Sequence, residues 1–261
     1  MGILNVTPDS FSDGGQFATP ELAVRHALKM AAEGAQVIDV GGESTRPGAR
    51  EVCADEEAAR VIPVIAAIRA ALPDLLISID SRHADVAAAA WNAGADIIND
   101  VGGLADPAMR ELCATRPCGI VLMHMQGTPA TMQAHPEYQD VVAEVRRFFE
   151  QQVSLAEQAG ISPERICLDP GIGFGKTVQH NLALIAALEE LRVRDLPMMM
   201  ALSRKSFLGK ILEDEALGKE SSLPTVAMSL LAADRGADIH RVHDVAPLRQ
   251  ALALRHALRR A

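Results

Sequence analysis

The chain is predicted to fold as an α/β protein, a (β/α)8 barrel of the TIM type, and three observations predict it. Eight short apolar runs alternate with longer amphipathic stretches along the 261 residues. That length is close to the roughly 250 residues such a barrel takes. Nearly every apolar run also ends, on its C-terminal side, in a polar residue that a buried strand would not select for packing. By count alone a doubly wound open sheet could be built from the same units, so the polar strand ends weigh most; in a barrel they converge on one mouth. No Gly/Ser-rich or Pro-rich linker and no charge block divides residues 1–261, which read as one domain.

The runs follow in order. Run 2–6 (GILNV) carries Asn5 and precedes a helical pattern at 20–33. Run 36–40 (QVIDV) carries Asp39; the helix after it, 54–71, has Val61, Ile65, Ile68 and Leu72 on one stripe, with Pro63 expected to kink it. Run 75–80 (LLISID) ends in Asp80 before helix 83–93, and run 95–100 (ADIIND) presents Asn99 before helix 106–115. Run 119–124 (GIVLMH) ends in His124 before helix 137–159, and run 165–169 (RICLD) ends in Asp169 before helix 178–191. Run 197–203 (PMMMALS) leads into Ser203 and Lys205 before helix 222–235. Run 238–243 (DIHRVH) carries Arg241 and His243 before helix 245–259. Strand alternation puts Ser78 with Asp80, Ile97 with Asn99, Cys167 with Asp169, Ser203 with Lys205 and Arg241 with His243.

Charge and composition exclude several functions. With 25 Lys+Arg against 34 Asp+Glu, the net charge of -9 argues against a broad nucleic-acid surface, though not against a locally positive pocket for a small anion. Aromatics are only 3%, too few for a base-stacking platform. No apolar run approaches the roughly 20 residues of a membrane span, and no basic start precedes an apolar run. Cys53, Cys113, Cys118 and Cys167 form no CxxC pair and read as buried thiols of a cytoplasmic protein.

Several loops carry candidate chemistry. Residues 5–15 hold Asp9, Phe11 and Asp13 among turn formers, either a helix-capping turn or a mobile lid. Gly41 to Gly48 combine glycines, hydroxyls and Arg46, a plausible anion contact. The run Asp169-Pro170-Gly171-Ile172-Gly173-Phe174-Gly175-Lys176-Thr177 ends like a P-loop, but Pro170 stands where the first glycine is required. Lys205 suits either a Schiff base or, with acids nearby, a charged donor to a carbonyl or phosphate. Arg241 and His243 point to one side and, with Lys205 one strand away, suit a dianion. His240 and Asp244 read as a surface pair. No cluster has zinc-site spacing; Asn5 with the loop acids suits a hard cation carried in by a phosphorylated substrate.

Seven segments together resemble the dihydropteroate synthase family: MGILNVTPDSFSDGG at 1–15, DVGGESTRPG at 39–48, IIND at 97–100, LMHMQGTP at 122–129, LDPGIGFGK at 168–176, SRKS at 203–206 and RVHDV at 241–245. The resemblance implies condensation of 6-hydroxymethyl-7,8-dihydropterin pyrophosphate with 4-aminobenzoate, with Mg2+ and release of pyrophosphate, in a homodimeric sulfonamide target. It also implies roles. Asn5 would contact the metal, and Thr45 and Arg46 the substrate groups at the second loop. Asp80, Asn99, Asp169 and Lys205 would hold the pterin, and Arg241 and His243 the pyrophosphate. Asp9, Phe11, Asp13, Pro47, Phe174 and Ser206 would surround the aminobenzoate. Asp80, Lys205, Arg241 and His243 would carry the catalysis.

The chain departs from that pattern in places. Ser81-Arg82-His83 replaces the usual Thr-x-Lys or Thr-x-Arg after the third-strand aspartate, and Ala201 replaces a glycine before SRKS. The segment that commonly precedes strand one is short or absent, which bears on stability more than on chemistry. Two other readings compete: a methyltetrahydrofolate-dependent methyltransferase, which has no dianion for Arg241 and His243 to hold, and a non-catalytic pterin- or phosphate-binding protein.

Overall fold

Runs of Val, Ile, Leu and Met with few polar interruptions form strands that are covered on both faces, as parallel sheets require. The computed structural model describes residues 1–7, 20–44, 51–129 and 131–260. Strands β1 (Gly2–Asn5), β2 (Val37–Gly41), β3 (Leu76–Asp80), β4 (Ile97–Asp100), β5 (Gly119–Met123) and β6 (Ile166–Asp169) pair in parallel, each with the next. Strands β7 (Met199–Met200) and β8 (Ile239–His240) form a second parallel pair. Single parallel bridges, Leu168 to Met198 and Gly2 to Val242, join the two sheets at both edges. The Leu168 N–H donates to the Pro197 carbonyl at 2.8 Å and the Ile3 N–H to the Val242 carbonyl at 2.9 Å. The eight strands therefore close into a ring.

Around it lie α1 (Pro20–Ala32), α2 (Ala54–Ala71), α3 (Ala84–Ala93), α4 (Pro107–Thr115), α5 (Val141–Gln158), α6 (Val178–Ala186), α7 (Leu188–Leu191), α8 (Ser206–Ile211), α9 (Glu215–Glu220), α10 (Leu223–Ala233) and α11 (Val245–Arg259). Local chemistry sets several of their ends. Asp106 and Asp140 accept from backbone N–H groups at the starts of α4 and α5, and α3 stops at Gly94, whose φ of +112° a side chain would resist.

The bounds of several elements, and the burial of one cysteine, are corrected. The seventh and eighth strands are shorter than the apolar runs that signalled them, because their C-terminal ends turn into the loops of the mouth. Helix 178–191 is divided at Ala187, helix 137–159 starts only at Val141, and two short helices, α8 and α9, precede α10. Pro63 lies within α2, which continues through it as one element. Cys53 is exposed, while Cys113, Cys118 and Cys167 are buried free thiols.

The strands sort their side chains into two cores. Leu4, Ile38, Ile79, Ile98, Leu122, Leu168 and Met200 face outward into the main core shared with the helices. Each such residue, fully buried, contributes about 1.5–3 kcal/mol relative to exposure. Inside the ring, Val121, Cys167 and Met199 pack with Met1, Ile97 and Ile239 as a separate small core. Two residues further along three of these strands, past Ile97, Cys167 and Ile239, the inward positions become Asn99, Asp169 and Arg241, and there the candidate site begins.

Candidate active site

Parallel register sets the site's first layer. Asn5 lies opposite Gly41, Gly41 opposite Asp80, and Asp80 opposite Asn99. A side chain on Gly41 would meet both flanking oxygens, Asp80 Oδ2 at 3.6 Å and Asn5 Oδ1 at 3.7 Å. One residue pair below, Asp39 is fully buried.

Arg241, from the end of β8, reaches across the ring into this layer. Its Nε donates to Asp39 Oδ2 at 2.5 Å and its Nη2 to Asp80 Oδ2 at 2.6 Å. Asn99 Nδ2 donates to the same Asp39 oxygen at 3.2 Å. Burial opposes the Arg241 charge, but the two carboxylates hold its pKa above the ordinary value. Burial pushes the Asp80 carboxyl up to about 7, with Asp39 and Glu57 adding to the rise and Arg241 and Lys205 opposing it. Two of the five N–H donors of Arg241 are engaged with carboxylates, so it enters the site as a paired cation rather than an open anion clamp.

Asp169 stands on β6, opposite Met123 in register, and accepts from the Gly171 N–H at 2.7 Å. Burial raises its pKa, against the pull of that N–H and of Lys205, Arg241 and Lys176. Asp169 and Arg241 stand at equivalent inward positions, each two residues beyond an inner-core residue of its strand, Cys167 and Ile239. Lys205 lies with Nζ 4.0 Å from the centre of the buried Phe174 ring. Burial lowers the Lys205 pKa to about 8, while Asp169 and Asp80 oppose the fall.

The turn before Lys205 is held from two sides. Arg204 adopts a φ of +57°, unusual for a residue with a side chain. Its N–H donates to Thr225 Oγ1 at 3.1 Å, and its guanidinium contacts both Asp244 oxygens at 3.1 Å. Ser203 Oγ lies 2.9 Å from His243 Nδ1 and accepts from the His243 N–H at 3.1 Å. Asp244 thus pairs with Arg204 rather than with His240, which is buried. Ser206 is exposed at the start of α8. Asp9, Phe11, Asp13, Thr45, Arg46 and Pro47 lie outside the described residues.

Sequence reasoning missed several supporting groups. Asp39 was singled out only as a strand end, yet it fixes both Arg241 and Asn99. Glu57, buried on α2, accepts from Ser81 Oγ at 3.1 Å and lies 2.7 Å from His83 Nδ1, beneath the turn that bears Asp80. Its signal was legible: Glu57 extends the α2 apolar stripe by one step of four residues before Val61. Arg82 reaches Glu43 at 3.2 Å and Glu51 at 2.5 Å. The departures Ser81, Arg82 and His83 therefore keep a bonded turn with different partners. Lys176 faces inward to His124 Nδ1 and the Phe174 carbonyl, both at 2.9 Å, and not toward a phosphate cradle.

A hollow of about 790 Å³ lies elsewhere, lined by Glu137, Tyr138, Asp140, Glu144, Arg147 and His180 among others. Asp140 and Glu144 there accept backbone N–H groups at the start of α5, so it reads as a helix-capping surface. Among the described residues no group of three His, Cys, Asp or Glu side chains is placed to hold a metal ion. No helix among them is long and apolar enough to cross a membrane.

The rim can therefore offer acceptors to a donor edge of a flat heterocycle, a buried ammonium to a carbonyl, and negative charge to a developing cation. The sequence matches the family of pterin binding enzymes over residues 1–243. It is 48% identical over 259 residues to the dihydropteroate synthase of Synechocystis sp., covering 99% of this chain and 89% of that protein. The structure is similar to that of Xanthomonas albilineans dihydropteroate synthase with 4-aminobenzoic acid, with a TM-score of 0.93 at 46% identity, covering 100% of this chain and 92% of that one. The same organism's enzyme in complex with 7,8-dihydropteroate gives a TM-score of 0.90 at 43% identity, over 100% of this chain and 93% of that one.

Proposed function

The chain belongs to the pterin-binding enzyme family, and from that premise we propose how its rim performs the family's transfer. The activity is dihydropteroate synthesis, a transferase reaction of folate biosynthesis. The 7,8-dihydropterin-6-ylmethyl group passes from its pyrophosphate ester to 4-aminobenzoate, and pyrophosphate leaves. One observation carries the assignment of roles: Asp80, Asn99, Asp169, Lys205 and Arg241, distant in sequence, meet in one inward-facing layer.

In the proposed mechanism Asp169 accepts from the 2-amino group and ring N–H of the pterin, a two-donor edge that fits a carboxylate. Asn99 adds an amide contact, and the Lys205 ammonium donates to the heterocycle's carbonyl. An arylamine is a weak nucleophile, so the C–O bond to pyrophosphate breaks ahead of attack, in an SN1-like sense. The positive charge left on the pterin falls in a layer that holds the carboxylates of Asp39, Asp80 and Asp169 with the cations of Arg241 and Lys205. A preorganised excess of carboxylate in a water-poor site stabilises that cation without reorganisation. His243, with Arg46 and the remaining donors of Arg241, takes the departing pyrophosphate; Thr45 contacts substrate at the second loop. Asp9, Phe11, Asp13, Pro47, Phe174 and Ser206 surround the aminobenzoate.

Mg2+ fits this arrangement as an ion carried by the substrate. Asn5 offers a hard amide oxygen beside Asp80, and Mg2+ keeps several waters and binds readily through phosphate oxygens rather than in an all-protein cage. Bound there with Asn5, it would neutralise charge on the leaving group.

Two further readings belong to this proposal. Exposed leucines on α10 and α11, Leu223, Leu231, Leu254 and Leu258, favour a homodimer, which light scattering on the purified protein tests. Three buried free thiols accord with a reducing cytoplasm. The activity itself is tested by pyrophosphate release from the pterin pyrophosphate with and without 4-aminobenzoate. Release that depends on the arylamine is expected; no release, or release indifferent to it, overturns the assignment.

A further inference from the structure

The segment 169–177, with its nucleotide-loop look, is built for another purpose. Gly171 and Gly175 adopt φ of +65° and +64°, and side chains there would lie 1.9 Å from the His124 carbonyl and 2.7 Å from the Gln126 carbonyl. The turn after β6 is thus laminated directly onto the segment that leaves β5. Lys176 closes the seam from inside. Its buried ammonium lies 2.9 Å from His124 Nδ1, 2.9 Å from the Phe174 carbonyl and 3.4 Å from the His124 carbonyl, so all three of its donors have protein acceptors. His124 is buried too, edge-on to Phe148 at 4.9 Å, and is held neutral by burial and by Lys176, its pKa lowered to about 3. The residue Lys176 fastens, Phe174, is the one whose ring lies under the Lys205 ammonium.

We propose that Lys176 is a positioning residue for Lys205: it pins the glycine turn to the end of β5 and fixes the Phe174 ring beneath the second lysine. The proposal rests on the role given above to Lys205 in holding the pterin. The groups facing Lys205 are Asp169 from β6, Asp80 from β3 and Arg241 from β8; those facing Lys176 are Asp169, Lys205 and neutral His124. Burial, with Lys205 adding to it, lowers the Lys176 pKa to about 7.

The test compares Lys176→Met, Lys176→Gln and Lys176→Arg in the full chain. Titration of Lys205 is followed by NMR on protein labelled at lysine Cε, with Lys205→Arg assigning the resonance. Loosening the Phe174 ring in Lys176→Met relieves the burial of Lys205 and is expected to raise its titration from about 8 toward the ordinary lysine value. Lys176→Arg leaves it in place. The alkaline limb of kcat/KM for the pterin pyrophosphate moves with it, and KM for 4-aminobenzoate rises about tenfold as the Phe174 ring loosens. Lys176→Gln keeps a donor for the Phe174 carbonyl, folds where the Met variant fails, and gives a smaller titration shift with a smaller rise in KM. An unmoved Lys205 titration in both neutral variants overturns the proposal, whatever happens to turnover. A titration that moves while the alkaline limb stays leaves the positioning role of Lys176 standing and overturns the pterin-binding role of Lys205.

Discussion

Two residues along a strand separate the floor of this barrel from its rim. On the floor Val121, Cys167, Met199, Ile97 and Ile239 pack as an apolar plug. On the rim the next inward positions of three of those strands are Asn99, Asp169 and Arg241, joined by Asp80. Both layers are shielded from water, but the floor gains free energy from that shielding while the rim loses it. The rim recovers part of the loss through the bonds of Arg241 to Asp39 and Asp80. Burying charge here is a cost accepted for chemistry: it is what moves Asp80 and Lys205 toward neutrality.

Asp80→Asn should separate the layers most sharply. Turnover is expected to fall about 10²–10³-fold, the effect of losing one preorganised electrostatic group. The melting temperature should hold or rise. Burial raises this carboxyl to about 7, so above the ordinary carboxylate range its ionised form costs folding free energy that asparagine does not. Steady-state kinetics beside a melting curve decide; an unchanged kcat removes Asp80 from the mechanism.

Met199→Ala inverts the pattern. Emptying the floor should lower the unfolding free energy by about 2–5 kcal/mol, measured by urea titration, with kcat of the folded protein nearly unchanged. A large kcat loss there would mean that floor and rim are not separable.

The pH profile of kcat/KM sharpens the comparison further. Asp80 must be ionised and Lys205 protonated, so the rate should fall below about 7 and again above about 8. Lys205→Arg should erase the alkaline limb within the range where the protein is folded. The smallest effect is expected from Asp244→Ala, since the Arg204–Asp244 pair is 40% and 33% exposed at the rim's outer edge. A stability change under about 1 kcal/mol is expected by denaturant titration.

The strand ends were legible in the sequence because a polar residue closing an apolar run is a local anomaly. Asp80, Asn99, Asp169 and Arg241 announced themselves that way, and alternation placed their side chains inward. What was hidden depends on non-local pairing. Nothing near Asp39 signals that its partner is 202 positions away. The tie between Lys176 and His124 spans 52 positions and sits in a segment whose glycines suggest a nucleotide. The helix break at Ala187 carries no local mark either, since alanine is a strong helix former, and tertiary packing prevails there. The extra helix α9 did carry one: Asp214 accepts from the Leu217 N–H, a capping signal inside what read as plain connection.

The joining of β8 to β1 has a consequence for how the protein is made. The carboxylate of Asp39 leaves the ribosome 202 residues before the guanidinium that answers it, an interval of about 10–40 s at ordinary translation speed. Throughout that time the early strands have no last strand beside them, and their inward acids lack the countercharge they will have in the finished protein. A nascent chain in that condition is a natural client for chaperones, and the catalytic layer is among the last parts of the molecule to come into being.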